Sequence, residues 1–252
     1  MSNKEPLISI VITYYKKKKF IKKTINSIFM QNYKNYEIIL VYDDDDKNDL
    51  KYLRDLLKPF KIKKLIINNK NLGVAKSRNL AIKYCKGYYI AFIDSDDLWK
   101  NNKLRDQYNF MKKKSSLFSF TSYDVIDENN KIIKKRKVNL DAEYKKLSRS
   151  NFIGLSTVMI DKKLFSKIVF PNLKTQEDFG LWLSLIRAGI KLNHLDKSLS
   201  FWRKTNNSLS SNIFYKFRDA FKLFYIYENK NLINSIFSVL ILSYNKIIKE
   251  LS

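Results

Sequence analysis

Four short apolar runs, each followed by an amphipathic stripe or an acidic cluster, fill the chain up to Asp97 and leave few folds open. Leu7 to Thr13, Tyr36 to Tyr42, Lys64 to Asn68 and Tyr88 to Ile93 are rich in β-branched residues and too short for helices, which predicts buried strands. Between them, Phe20 to Met30, Leu50 to Leu57 and Gly73 to Tyr84 read as helices; the second halts near Pro59. Strand and helix alternating at this pace predict a Rossmann-like α/β fold, a mostly parallel sheet flanked by helices. Ligands of such sheets bind beyond the carboxyl ends of the strands. Polar clusters stand at all four of those ends: Thr13-Tyr14-Tyr15, Asp43-Asp44, Asn68-Asn69 and Asp94 to Asp97.

The pattern then changes. Lys103 to Met111 predicts a fourth helix, and Phe118 to Val125 and Lys131 to Lys137 predict strands about the turn Asp127 to Asn130. Leu155 to Ile160 reads as another strand, Glu177 to Ala188 as a helix capped by Gly189, and Phe214 to Leu251 as two helices.

Cys85 is the only cysteine and His194 the only histidine, which excludes a disulfide framework and an ordinary zinc site. The stretch from Met1 to Thr13 lacks a signal-peptide layout, and the apolar run Ser235 to Tyr244 is too short to span a membrane; a cytoplasmic protein is expected. No GxxxxGKS/T or GxGxxG loop follows the first strand, and no GxSxG elbow occurs. The net charge of +25 fits either nucleic acid or an anionic membrane surface, although a composition rich in Lys, Asn, Ile, Tyr and Phe accounts for much of it. Lys16 to Lys19 read as solvated lysines.

The stretch Ala91-Phe-Ile-Asp-Ser-Asp-Asp-Leu-Trp99 carries an apolar run straight into three carboxylates. Continued as a strand, it sets Asp94 and Asp96 on one face about 6.6 Å apart. Two unit charges there repel by roughly 2.5 kcal/mol at an effective dielectric of about 20. Open solvent, a raised pKa or a bound cation offsets this, and Asp94-Ser95-Asp96 suits Mg²⁺ or Mn²⁺ with phosphate oxygens. An acidic turn capping the next helix is the other reading.

With this motif the chain resembles the inverting nucleotide-sugar glycosyltransferases of family 2, which have the GT-A fold, over about residues 6 to 205. The matching segments, in order, are Ile8 to Tyr15, Ser27 to Tyr33, Tyr36 to Val41, Asn71 to Ala81, Ala91 to Trp99 and Glu177 to Leu183. The resemblance implies that Thr13 and Tyr15 touch the nucleoside and that Asp43 accepts from the base ring N–H. It places Asn71 in the same pocket and Arg78 against base or diphosphate. It sets Asp94 at ribose or metal with Ser95 beside it, Asp96 on the metal, and Asp97 towards the sugar. Asp178 would be the general base and Glu177 would orient acceptor or donor sugar; both also suit a helix N-terminus. Phe201-Trp-Arg203 and Ser208 to Ser211 resemble the closing strand and loop, where an arginine and serines meet the diphosphate. His194 stands as either a metal ligand or a structural residue.

The expected division is 1–108 for the nucleotide-sugar half, 109–212 for the acceptor half and 213–252 for a helical tail. The resemblance further implies a UDP-sugar (or dTDP-sugar) donor, a saccharide or lipid-linked saccharide acceptor in lipopolysaccharide or capsule assembly, and no nucleic-acid partner. Thr13 stands where the family more often has proline, and Asp43 to Asp46 make its second-strand loop unusually acidic. Basic and aromatic residues from Tyr215 to Tyr225 add the expectation of peripheral contact with the inner face of the membrane. A basic nucleic-acid-binding module, supported by charge alone, and an inactive GT-A scaffold are the alternatives.

Overall fold

The computed structural model describes residues 5–138, 143–205 and 213–251. The alternation is present as β1 (Ile8–Tyr14), α1 (Lys18–Phe29), β2 (Tyr36–Tyr42), α2 (Lys47–Leu57), β3 (Lys64–Ile67), α3 (Val74–Tyr84) and β4 (Tyr89–Asp94). These strands lie parallel in the order β3-β2-β1-β4, with Thr13 in register between Val41 and Asp94. Their sequences do not alternate because both faces are covered. Val11, Ile39, Val41 and Phe92 join one core, and Ile10, Ile12, Ile38, Leu40 and Ile93 join the other.

The second half departs from a mostly parallel sheet. It comprises β5 (Leu98–Trp99), α4 (Lys103–Lys114), β6 (Phe118–Ile126), β7 (Ile132–Arg136), α5 (Tyr144–Leu147), β8 (Met159–Asp161), α6 (Glu177–Arg187) and β9 (Asn193–Arg203). Strand β8 runs antiparallel to both β4 and β6, β7 to β6, and β5 to β9, while β6 and β9 are parallel. Among the described residues one nine-stranded mixed sheet thus runs through both halves of the chain, and α4 spans position 108.

Leu155 to Ile160 is not a single strand: Leu155–Thr157 is a 3₁₀ turn and β8 begins at Met159. Side chains claim the backbone there. The carbonyl of Ser156 accepts from Trp99 Nε1 at 2.7 Å and Ser200 Oγ at 2.9 Å, and that of Thr157 from Gln107 Nε2 at 2.9 Å.

The C-terminal segment consists of α7 (Ile213–Lys222), a π turn over Leu223–Tyr227, and α8 (Leu232–Leu251). Leu223 and Phe224 are fully buried in the same core as Phe179 and Trp182. Asp219 receives the backbone N–H of Lys174 at 2.9 Å and of Thr175 at 2.8 Å, fixing the approach to α6. Among the described residues no helix is long and apolar enough to cross a membrane.

Candidate active site

Strand β4 ends at Asp94, and Ser95 and Asp96 form a turn closed by the Asp97 N–H on the Asp94 carbonyl at 3.0 Å. This replaces the shared strand face expected of Asp94 and Asp96. The Thr24 hydroxyl lies 3.0 Å from the Ser95 carbonyl and 2.8 Å from that of Asp97, so α1 holds the turn. Asp97 is enclosed, accepting from Ser156 Oγ at 2.6 Å and from the Arg203 N–H at 2.8 Å. Its carboxylate therefore does not occupy the sugar-facing position expected of it. Burial, then the charges of Asp96 and Asp94, push its pKa well up.

Asp94 receives Arg78 Nη2 at 2.7 Å, and Asp96 receives Lys17 Nζ at 2.6 Å. Burial raises the Asp96 pKa; Lys17 opposes this and Asp94 adds to it. Among the described residues no three His, Cys, Asp or Glu side chains converge as a metal cage. Asp94 and Asp96 are nevertheless two hard-oxygen donors on one tight turn, each with one carboxylate oxygen on a cationic side chain. That donor set fits Mg²⁺ or Mn²⁺ completed by phosphate oxygens and water.

At the neighbouring strand ends, Thr13 and Tyr15 are half-buried, and Lys16 lies 5.1 Å over the Tyr15 ring. Asp43 is buried and already engaged: it accepts from Asn68 Nδ2 at 2.8 Å and from the N–H groups of Leu72 at 2.8 Å and Gly73 at 3.0 Å. It thereby ties β2 to the loop that opens α3, where Gly73 (φ 89°) makes a turn that a side chain would strain. Asn71 is exposed on that loop. Asp44 differs from its neighbour. It is buried, its Oδ1 accepts from the Asp45 N–H at 2.9 Å, and its Oδ2 has no partner. Burial raises its pKa.

Helix α6 begins with Glu177 and Asp178 after Gln176 in a left-handed conformation. Arg78, buried on α3, donates to Glu177 Oε1 through Nη1 and to Asp94 through Nη2. One guanidinium thus joins the acids at the end of β4 to those opening α6. Asp178 accepts from the Phe179 N–H at 2.6 Å. Burial, then the charge of Glu177, pushes its pKa up to about 7 against the opposing charge of Arg78.

Arg203 is spent internally, its Nε on the Asp96 carbonyl at 2.7 Å, Nη1 on that of Asp127 at 2.7 Å and Nη2 on Asn130 Oδ1 at 2.8 Å. It pins the 127–130 turn beneath the site instead of reaching a diphosphate. Ser208 to Ser211 lie outside the described residues. His194 packs on Phe120, with Nε2 3.2 Å from Ser122 Oγ, at the opposite end of β9 from Arg203, which favours the structural role. Trp99 and Trp182 are buried in packing.

Two features escaped the sequence reading. Lys17 is a partner of Asp96 and not a solvated lysine, and Lys19 likewise pairs with Glu128 at 2.5 Å. Asp44 carries the unpartnered acceptor, and only its position beside Asp43 hinted at it.

The family model for glycosyl transferase family 2 matches residues 9–173. A Bacillus subtilis protein named for teichuronic acid biosynthesis, TuaG, is 34% identical over 233 residues, covering 90% of each chain. The Escherichia coli UDP-Glc:α-D-GlcNAc-diphosphoundecaprenol β-1,3-glucosyltransferase WfgD is 35% identical over 209 residues, covering 82% of this chain and 81% of its own. Among solved structures, a fragment of S. aureus TarS with UDP-GlcNAc superposes at TM-score 0.72 and 20% identity. That match covers 87% of this chain, which spans 65% of the TarS fragment. The mannosyltransferase PcManGT from Pyrobaculum calidifontis, with GDP-Man and Mn²⁺, gives 0.67 at 11% identity, covering 91% of this chain and 66% of its own.

Proposed function

The chain belongs to glycosyl transferase family 2, and we propose that it moves a sugar from a UDP-sugar onto a saccharide hydroxyl with inversion at the anomeric carbon. It is a glycosyltransferase of the GT-A fold, and its relatives include proteins of cell-surface glycan assembly. The observation that carries the proposal is the Arg78 bridge, which gathers the acids of β4 and the first turn of α6 into one site.

In this reading the nucleoside lies over Thr13 and Tyr15, and the free Oδ2 of Asp44 accepts the ring N–H of uracil. Asp43 keeps the shape of that pocket. Asp94 and Asp96 would hold a divalent cation, which when bound supplies charge neutralisation for the leaving diphosphate. Asp178 takes the proton of the acceptor hydroxyl as its oxygen attacks the anomeric carbon and the bond to the diphosphate breaks. Glu177 and Arg78 position that base. The acceptor is a lipid-linked saccharide on the cytoplasmic face of a membrane, where the protein is peripheral; WfgD, whose named acceptor is a diphosphoundecaprenol, supports this class.

Thermal shift and calorimetry with UDP, with and without Mn²⁺, test the reading. UDP should stabilise the protein, and more strongly with metal. Asp44→Asn should weaken UDP binding about tenfold or more, the loss of one charge-assisted hydrogen bond, with little change in Tm. Asp43→Asn should lower Tm, because it loosens the α3 loop. No stabilisation by UDP under any metal condition, together with no UDP release from any UDP-sugar, would overturn the proposal.

A further inference from the structure

The geometry points to α8 as a surface that docks on an anionic bilayer, its outward face in the lipid interface and a lipid phosphate seated in the basic groove between α5 and α8. This deepens the peripheral-membrane part of the proposed function and rests on it.

Helix α8 is turned the wrong way for water. Its inner side carries only two apolar contacts, buried Val239 and Leu242 against the main core, among polar groups: Ser235 is 0% exposed, Ser238 and Ser243 are half-buried, and Asn245 Nδ2 donates to the Arg149 carbonyl at 2.9 Å. Its outer side carries Ile233 (66% exposed), Phe237 (61%), Leu240 (55%), Tyr244 (65%) and Ile247 (57%), spaced so that they run as one stripe along the helix. A helix lying on a protein in water presents the reverse pattern. A contiguous apolar patch of this kind marks a contact surface, and an interfacial helix buries such a stripe at the boundary between headgroups and acyl chains.

Beside the stripe lies a groove of about 260 Å³ lined by Lys145, Ser148, Arg149, Lys230, Ser238 and Ile241. It gathers three basic groups. The nearby acids are occupied: Glu228 is buried and accepts from Tyr144 at 2.5 Å, and Glu143 pairs with Lys146 at 3.4 Å. Lysine and arginine donors suit phosphate oxygens; the Ser148 and Ser238 hydroxyls already donate to the carbonyls of Lys145 and Asn234, and Ser238 Oγ accepts from Lys230 Nζ at 2.9 Å. Ile241 joins the groove to the apolar face. Charge also decides between a bilayer and a second copy of this chain. A two-fold contact through α8 sets identical patches against each other and so brings the two basic grooves towards one another, whereas anionic headgroups neutralise them.

Co-sedimentation of the full-length protein with vesicles of phosphatidylcholine, alone or mixed with phosphatidylglycerol, tests the inference, with UDP-dependent thermal stabilisation followed in parallel. The wild type should bind the mixed vesicles about tenfold or more tightly than the neutral ones. The double variant Phe237→Glu with Leu240→Glu, exposed at both positions, should lose binding to both vesicles while keeping its Tm and UDP response. Lys145→Glu with Lys230→Glu should lose the anionic preference alone. Absence of vesicle binding by the wild type, or binding unchanged in the α8 variant, overturns the docking surface and leaves the transferase reading standing. Vesicle binding without any response to UDP supports the surface and counts against the UDP-sugar donor. A dimer in solution that the α8 variant converts to monomer, with no vesicle binding, assigns the face to a second copy and overturns the inference.

Discussion

At Asp178 burial and two neighbouring charges compete for one proton. Burial and Glu177 favour the neutral carboxyl, Arg78 favours the carboxylate, and the balance falls at about 7. A base must be ionised to act, so kcat/KM should climb as pH rises through about 7 and level above it. The stability effect has the opposite sign. A carboxyl whose folded pKa is raised binds its proton more tightly in the native state than in the unfolded chain. Its contribution is therefore complete below the ordinary carboxylate range and is lost as pH rises through about 7. Asp178→Asn should lower kcat by about 10²–10⁴. The same variant should melt above the wild type at alkaline pH, with the gap closing towards acid pH. Steady-state rates and melting curves across the pH range check both; a flat pH–rate profile in the wild type would remove Asp178 as the base. The residue types at this site were legible in the sequence, but their commitments were not. Nothing in Asp43-Asp44 reveals that one carboxylate is filled by loop N–H groups while the next keeps an oxygen unpartnered, because that depends on how the 68–73 loop returns across the sheet.

Helix α6 places Asp178, the proposed base, and Gly180 sets how closely the helix packs. A Cβ there would meet Pro171 Cγ at 2.6 Å and Leu223 Cδ1 at 2.9 Å. Gly180→Ala should therefore push α6 off its bed, costing about 1–3 kcal/mol. Because Glu177 and Asp178 occupy the first turn of the same helix, kcat should fall while the KM for the donor, whose proposed site lies at the ends of β1, β2 and β4, changes little. Denaturant melts and steady-state kinetics check this; a loss of stability with kcat intact would separate the packing from the site. The first four strands could be read from the sequence because burial on both faces writes an uninterrupted apolar run. Strand β9 could not, except for its last residues. Its Asp196 and Lys197 break the pattern, and its partners on β6 lie 76 and 77 residues away in sequence in Ser122↔Ser198 and Ile126↔Arg203. The 155–160 segment misled for the opposite reason: it is apolar enough for a strand, yet Trp99, Gln107 and Ser200 supply the hydrogen bonds that a ladder would have made.

At the scale of the molecule, one mixed sheet joins the first and second halves of the chain, and the C-terminal segment has two different relations to it. Sequence patterning showed two helices there but not this difference: α7 alternates charged and aromatic residues and α8 is the more apolar, yet contacts distant in sequence bury Leu223 and Phe224 just after α7 and leave most of α8 outside. The first part is structural. Leu223 and Phe224 lie in the main core, Leu223 touches the space over Gly180, and Asp219 holds the strand of chain that leads into α6. The second part, α8, buries little of its own apolar surface, chiefly Val239. Losing the Leu223 and Phe224 side chains costs about 5–10 kcal/mol together, against a typical folding reserve of about 5–15 kcal/mol. Removing residues 213–252 should therefore leave a protein that aggregates or melts without cooperativity. Removing only residues 231–252 should keep a cooperative melt and the response to UDP, and should abolish vesicle binding. Melting curves, size-exclusion profiles and vesicle sedimentation of the two truncations distinguish these outcomes. If the longer deletion stayed as stable as the full chain, the burial of Leu223 and Phe224 would count for nothing and the whole segment would be an appendage.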